Sequence, residues 1–225
     1  MNAASITAPV LAIETSGSAC SVAVQMPGAA LGRPPAQEIM ATSHGHATAL
    51  APMIARIARA ADVELTALKA IAVSCGPGGF TGIRVGLATA RAMALAIGCP
   101  IVGIGSFQTL AATAARSGGL LAVRTLVVLD SRRSELFAVE LGADLAVLSP
   151  PALLTAEQVE ARCKQDGIAL IADAALTRFA GLGGLSATAD AVAVAELAMT
   201  RPDLHLPAEP IYLRPPDISQ PKPRS

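Results

Sequence analysis

An apolar run from Pro9 to Thr15 ends in the polar turn Ser16-Gly17-Ser18, and Ala19 to Gln25 then alternates apolar with polar residues on the way back. That reversal predicts a β-hairpin. Gly28, Gly32, Pro34 and Pro35 break the chain, and a third strand is expected over Gln37 to Thr42. Apolar residues then change period: Ala47, Leu50, Ile54, Ile57 and Ala61 mark one face of a helix over His46 to Ala61. Pro52 lies inside that pattern and allows a kink or a later start. Ala70 to Cys75 reads as a short buried strand running into a glycine-rich turn. A second helix follows from about Gly82 to Ile97, closed by Gly98 and Pro100, before a strand at Ile101 to Ile104.

After a linking helix near Phe107 to Ala115 and a break at Gly118-Gly119, the pattern starts again. Leu126 to Leu129 leads into the turn Asp130-Ser131-Arg132-Arg133-Ser134, and Leu136 to Leu141 alternates back. Leu11-Ala12-Ile13-Glu14-Thr15-Ser16 and Val127-Val128-Leu129-Asp130-Ser131 are both strand, acidic residue and hydroxyl-bearing turn. Duplication of a βββαβα unit is the economical reading, and a generic match between two hairpins is the competing one. A helix capped by Thr155 with Gln158, a strand at Ile168 to Ala172, and a helix from Asp190 to about Thr200 complete the second unit. The expected organisation is residues 1–105, residues 106–205 and a tail, 206–225. The last 24 residues hold seven of the sixteen prolines, so the tail should lie extended over the surface.

Composition sharpens this picture. Hydrophobic residues make up 52% of the 225, charged residues 15%, and mean hydropathy is +0.53, which excludes a disordered chain. One Tyr, four Phe and no Trp argue against an aromatic platform for base stacking. The 17 basic and 17 acidic residues cancel, so there is no nucleic-acid footprint in the charge. Cys20, Cys75, Cys99 and Cys163 are far apart, with neither zinc-finger nor disulfide spacing. The start lacks the pattern of a secretory signal. The longest apolar stretch carries Arg84 and Arg91 and is read as too short and too charged to span a bilayer. A reduced, cytoplasmic protein without a membrane segment is expected.

The strongest local signal is Gly76-Pro77-Gly78-Gly79-Phe80-Thr81-Gly82, where a strand feeds a turn that opens a helix. Such a turn either aims backbone N–H groups at an anion, with Gly76, Gly78, Gly79 and Thr81 as candidates, or packs tightly on another piece of backbone. Its spacing fits neither the dinucleotide fingerprint nor a Walker loop. Glu14 is a lone carboxylate at a strand end. His44 and His46 do not share a helix face, His205 lies in the Pro-rich region, and no metal-ligand cluster is apparent. Cys75 borders the glycine turn without a neighbouring His. The two helices say more. Ile83, Leu87, Ala90 and Ala94 form one face of the second helix, and Val85, Ala88 and Ala92 another. Ala49, Met53 and Ala60 widen the apolar arc of the first. One sheet covers one face of each, so the surplus points to a protein partner.

Leu11 to Ser16 with Ala19 to Val24, Ala70 to Val73 running into G-P-G-G-F-T-G-I-R-V-G at 76–86, and the tail Glu209-Pro210-Ile211-Tyr212-Leu213-Arg214-Pro215 resemble the bacterial TsaB (YeaZ) family. The likeness is good over the first hundred residues, loose over the second half and close in the tail. It implies a duplicated actin-like, HSP70-like α/β fold of two subdomains, each a mixed sheet flanked by helices. It further implies a non-catalytic subunit in threonylcarbamoylation of the adenosine beside the anticodon in tRNAs reading ANN codons. The implied partners are the paralogous transferase TsaD and the ATPase TsaE, with pairing through the two helices and self-pairing when alone. ATP and metal then belong to the partners, and tRNA is met mainly through the complex, where Arg132-Arg133 and Lys222 with Arg224 are candidate phosphate contacts. The transferase's H-x-x-x-H would fall just after Ile104, where this chain reads Gly105-Ser106-Phe107-Gln108-Thr109-Leu110. The usual turn Asp is Glu14, and the second turn lacks a glycine. These departures argue against ATP hydrolysis. An actin-fold small-molecule kinase and a metalloprotease-like enzyme are the alternatives.

Overall fold

The computed structural model describes residues 6–27, 35–41, 46–118, 121–164 and 168–214. His44, Thr42, Gly28, Gly32, Pro34, Gly119, Lys222, Arg224 and the tail from Pro215 lie outside the described residues.

Among the described residues, ten strands form two sheets. The first holds β1 (Val10–Glu14), β2 (Ala19–Gln25), β3 (Ala36–Ala41), β4 (Ala70–Ser74) and β5 (Ile101–Ile104), in the order β3-β2-β1-β4-β5. The second holds β6 (Arg124–Leu129), β7 (Leu136–Leu141), β8 (Ala152–Leu154), β9 (Ile168–Asp173) and β10 (Leu185–Ala187), in the order β10-β9-β6-β7-β8. In both, the first strand pairs antiparallel with its hairpin mate (Leu11 opposite Val24, Val127 opposite Val139). It pairs parallel with the strand after the first helix (Ile13 opposite Val73, Val128 opposite Ala172). The two sheets therefore repeat one plan, strand for strand, and the fold is the duplicated actin-like α/β architecture. The repeat is longer than the βββαβα unit read from the sequence. A further strand and helix close each copy: β5 with α3 (Ser106–Arg116), and β10 with α5 (Ala191–Thr200).

β1 is buried along its whole length and sends alternate residues to opposite faces. Leu11 and Ile13 pack with Leu50, Ile54 and Ile57 of α1 (His46–Ala61) and with Ile83 and Leu87 of α2 (Phe80–Ile97). Val10 and Ala12 share a core with Leu110 of α3, Val194 of α5, and Val127, Val139 and Ile171 of the second sheet. The far face of that sheet is covered by α4 (Ala156–Cys163) and the short helix Thr177–Leu182, through Val159 and Phe179. By packing, α5 lies on the first sheet and α3 on the second. The layers run α1/α2, sheet, α3/α5, sheet, α4.

Local chemistry fixes the ends. Gly98 takes a left-handed conformation (φ 77) and closes α2. Thr155 and Gln158 form a capping box on α4, and Asp190 caps α5 by accepting from the Ala193 N–H at 3.0 Å. α1 begins at His46 and continues through Pro52, so the later start is set aside. β8 and β10, three residues each, are too short to show a period. Beyond Leu204 the chain is extended: Leu206 exchanges two backbone hydrogen bonds with Gly103 of β5 (2.9 and 3.0 Å), and the Ile211 N–H donates to the Cys75 carbonyl at 2.8 Å. The tail as far as Arg214 thus runs beside the edge strand β5 of the first sheet and reaches the glycine loop.

Candidate functional site: the glycine loop, the hairpin turns and the exposed helix face

Three pieces of chain meet at the ends of β1 and β4. The Gly79 N–H donates to the Ser16 carbonyl (2.7 Å), the Thr15 hydroxyl to the Gly82 carbonyl (2.8 Å), and the Ser106 N–H to the Gly76 carbonyl (2.9 Å). The Ser16 and Ser106 hydroxyls are 2.7 Å apart. A Cβ at Gly78 would overlap the Ser16 carbonyl oxygen, and one at Gly86 would overlap the Thr15 hydroxyl. Gly76 has φ 103, open to glycine and strained for other residues. The loop is packed tightly on another piece of backbone. Its glycines let the start of α2 lie directly on the first hairpin turn, and the Gly79 N–H is spent there. Thr81 is exposed on the first turn of α2.

Glu14 is wholly buried in this contact. One carboxylate oxygen accepts from the Ser16 N–H and hydroxyl, both at 2.6 Å, and from the Gly17 N–H at 3.3 Å. The other has no hydrogen-bond partner, and neither has the buried Ser74 hydroxyl on the adjoining strand β4. Burial pushes the Glu14 carboxyl above its ordinary range, against the hydrogen bonds from Ser16. Such a group is a structural acid that closes its own turn. Burial also pushes the Cys75 thiol up to about 11, which removes the thiolate a nucleophile needs.

Asp173, at the end of β9, was not singled out in the sequence. It accepts from the Ser18 hydroxyl (3.2 Å) and the Ala175 N–H (2.9 Å), and burial raises it too. With the Arg132 guanidinium donating to the Gly17 carbonyl at 3.3 Å, it ties the first hairpin turn to the second half. An acid at a parallel strand's end was the available signal. Asp130 caps its own turn by accepting from the Arg132 N–H at 2.8 Å. Among the described residues no three His, Cys, Asp or Glu side chains come together as a metal site. His205 is used at the end of α5, its Nε2 lying 2.7 Å from the Ala198 carbonyl.

The helix residues sort by exposure. Ile83, Leu87, Ala90 and Ala94 are in the core. Ala88 and Ala92 are exposed, Val85 is half-buried, and Leu95 beside them is 86% exposed. On α1, Ala60 is exposed and Ala49 half-buried. Met53 is a correction: it is fully buried, because α1 packs against both the sheet and α2 and so hides a wider arc than one sheet would cover. By length and mean hydropathy α2 would pass for a membrane span, but its inner stripe is part of this core.

The fold and its turns define an actin-like α/β protein whose glycine loop packs on the first hairpin turn. The comparisons take this further. The model of the family TsaD, tRNA N6-adenosine threonylcarbamoyltransferase, matches residues 40–196, and the chain belongs to that family, in its TsaB/YeaZ branch. It is 33% identical over 135 residues to the tRNA threonylcarbamoyladenosine biosynthesis protein TsaB of Escherichia coli K12, covering 60% of this chain and 55% of that protein. With TsaB of Bacillus subtilis 168 it is 27% identical over 128 residues, 57% of this chain and 52% of that protein. The matches thus span about half the length of these relatives. YeaZ from Pseudomonas aeruginosa has the same fold, with a TM-score of 0.74 at 24% identity over 92% of this chain and all of that one.

Proposed function

We propose that this chain is a partner subunit, not the transferase, in the formation of threonylcarbamoyladenosine in tRNA. It would pair with a TsaD-type transferase through the outer faces of α1 and α2 and be joined by a TsaE-type ATPase in the cytoplasm. ATP and metal would be held by those partners, and tRNA would be met mainly through the complex. The observation that carries the reading is the first turn of α3. The resemblance places the transferase's His pair just after Ile104, where this chain reads Gly105 to Leu110 without a His, and Ser106 and Thr109 of that segment are buried and hydrogen-bonded within the fold. The exposed stripe Ala88, Ala92 and Leu95 supports pairing, since small side chains allow close helix approach and Leu95 offers an apolar anchor. An actin-fold kinase is less well supported, because Glu14 is enclosed by its own turn. Reconstitution tests the reading. tRNA, threonylcarbamoyl-adenylate, the TsaD-type and TsaE-type proteins and this chain should yield modified tRNA, and leaving out this chain should abolish it. Modification by this chain alone, or none lost without it, would contradict the proposal.

A further inference from the structure

α2 carries two charged residues, Arg84 and Arg91, and the tail holds both. The Arg91 guanidinium donates twice to the Ala208 carbonyl, at 2.9 and 2.5 Å. The Arg84 guanidinium donates to the Tyr212 hydroxyl at 2.9 Å and lies 3.8 Å over the Phe80 ring, whose centroid is 5.2 Å from that of Tyr212. These two arginines border the exposed stripe of the helix. Arg84 is four residues before Ala88, and Arg91 is three after Ala88 and four before Leu95, the spacings at which helical side chains are neighbours. A partner that packs on Ala88 and Leu95 strips water from the arginine heads beside them. That is costly for a bare guanidinium and far less so for one already bonded to protein oxygen.

The body of the protein is shaped for the tail, and the tail is lightly attached. A Cβ at Gly103 would lie 2.7 Å from the Pro207 carbonyl oxygen, and one at Gly76 would lie 2.7 Å from that of Ile211. Two glycines thus leave the room in which the tail backbone runs. Over residues 206–212, Ala208 alone is buried. The three backbone hydrogen bonds to Gly103 and Cys75 and the two guanidinium groups hold this stretch, rather than side chains sunk in the core. A segment held in that way opens more readily than the sheet beneath it.

We propose that residues 206–212 are a releasable strap that makes the outer face of α2 fit to pair, an inference that rests on the pairing reading above. Docked, the strap satisfies Arg84 and Arg91 at the margin of the apolar stripe. Released, it leaves two bare guanidinium groups there, and the TsaD-type partner is held less tightly. The strap is a control on assembly built into this chain, and it acts through the arginines rather than by touching Ala88, Ala92 or Leu95.

The test uses the full chain and its cognate TsaD-type protein. Leu206→Pro with Tyr212→Ala removes one hydrogen bond to Gly103 and the acceptor for Arg84, and both positions are exposed on the strap itself. Hydrogen exchange should show the Gly103 and Ile211 amides losing protection while those of β1 and β4 keep theirs. Affinity for the TsaD-type protein should fall about tenfold or more. Adding Arg84→Met and Arg91→Met to that variant should bring affinity back to within about threefold of the wild type. A tail with a merely structural role would give no such rescue. Should circular dichroism show the strap variant unfolded, Arg84→Met with Arg91→Met in the otherwise unchanged chain decides: the same two amides should lose protection, yet pairing should persist. Protection kept in every variant, protection lost with affinity unchanged in the strap variant, or a loss of pairing that the methionines do not relieve would overturn the strap. No complex with the wild-type chain would instead overturn the pairing reading beneath it.

Discussion

At the scale of the residue, Glu14 is the most informative side chain. Its position after an apolar strand was legible, but its role was not, because burial and the free Ser74 hydroxyl are set by β4, sixty residues on. A raised carboxyl pKa means that the folded state holds its proton more firmly than the unfolded state. Its contribution to stability is then complete below the ordinary carboxylate value near 4.5 and is lost as pH rises through the folded value. Glu14→Gln removes that titration, keeps an acceptor for the Ser16 donors and adds an N–H for Ser74. At pH 8 the variant should be more stable by about 1 kcal/mol, a rise in Tm of about 2–4 °C. At pH 4 the difference should vanish. Thermal melts of both proteins at the two pH values check this, and a variant that melts several degrees lower at both would show that the ionised carboxylate is needed.

At the scale of the element, α2 has an inner face and an outer face. Leu87 is 3% exposed and packed between β1 and β4, so Leu87→Asp loses its burial and leaves a charge without a partner. A cost of about 3–5 kcal/mol follows, visible as a large fall in the urea midpoint. Ala92→Glu alters an exposed position and should change stability by less than about 0.5 kcal/mol. Equal losses in the two variants would mean that the outer face is also internal. Both faces and α1 could be read from the helical period, and β2, β5 and β7 from apolar runs and alternation; the structure places these elements within the residues the pattern gave. The arc of α1 could not. Whether Met53 lies inside depends on α2 leaning against α1, a contact between segments that no local period records. The glycine run was equally ambiguous, since the same sequence serves a phosphate cradle or a tight backbone crossing, and only the approach of Ser16 decides.

At the scale of the whole molecule, the two copies of the repeat exchange their last helices. The face of the first sheet made by Val10, Ala12, Ala23 and Ala72 is covered by α5, and α3 lies on the second sheet. Arg116 at the end of α3 holds Asp190, the cap of α5, and reaches Glu196 at 3.4 Å. Each copy has an outer core of its own, and the inner core is shared between them. Calorimetry of the full chain should give one transition with matching calorimetric and van't Hoff enthalpies, and residues 1–105 alone should show no cooperative unfolding. Two resolved transitions would contradict the shared core.

The outer stripe of α1 and α2 is the surface proposed for a partner, and the most direct measurement is assembly on that surface. Size exclusion with light scattering should show the wild-type chain forming a complex with its cognate TsaD-type protein. The Ala88→Glu, Ala92→Glu double variant should remain folded by circular dichroism, elute as a monomer and leave the TsaD-type protein free. A variant that still enters the complex as completely as the wild type would contradict the account.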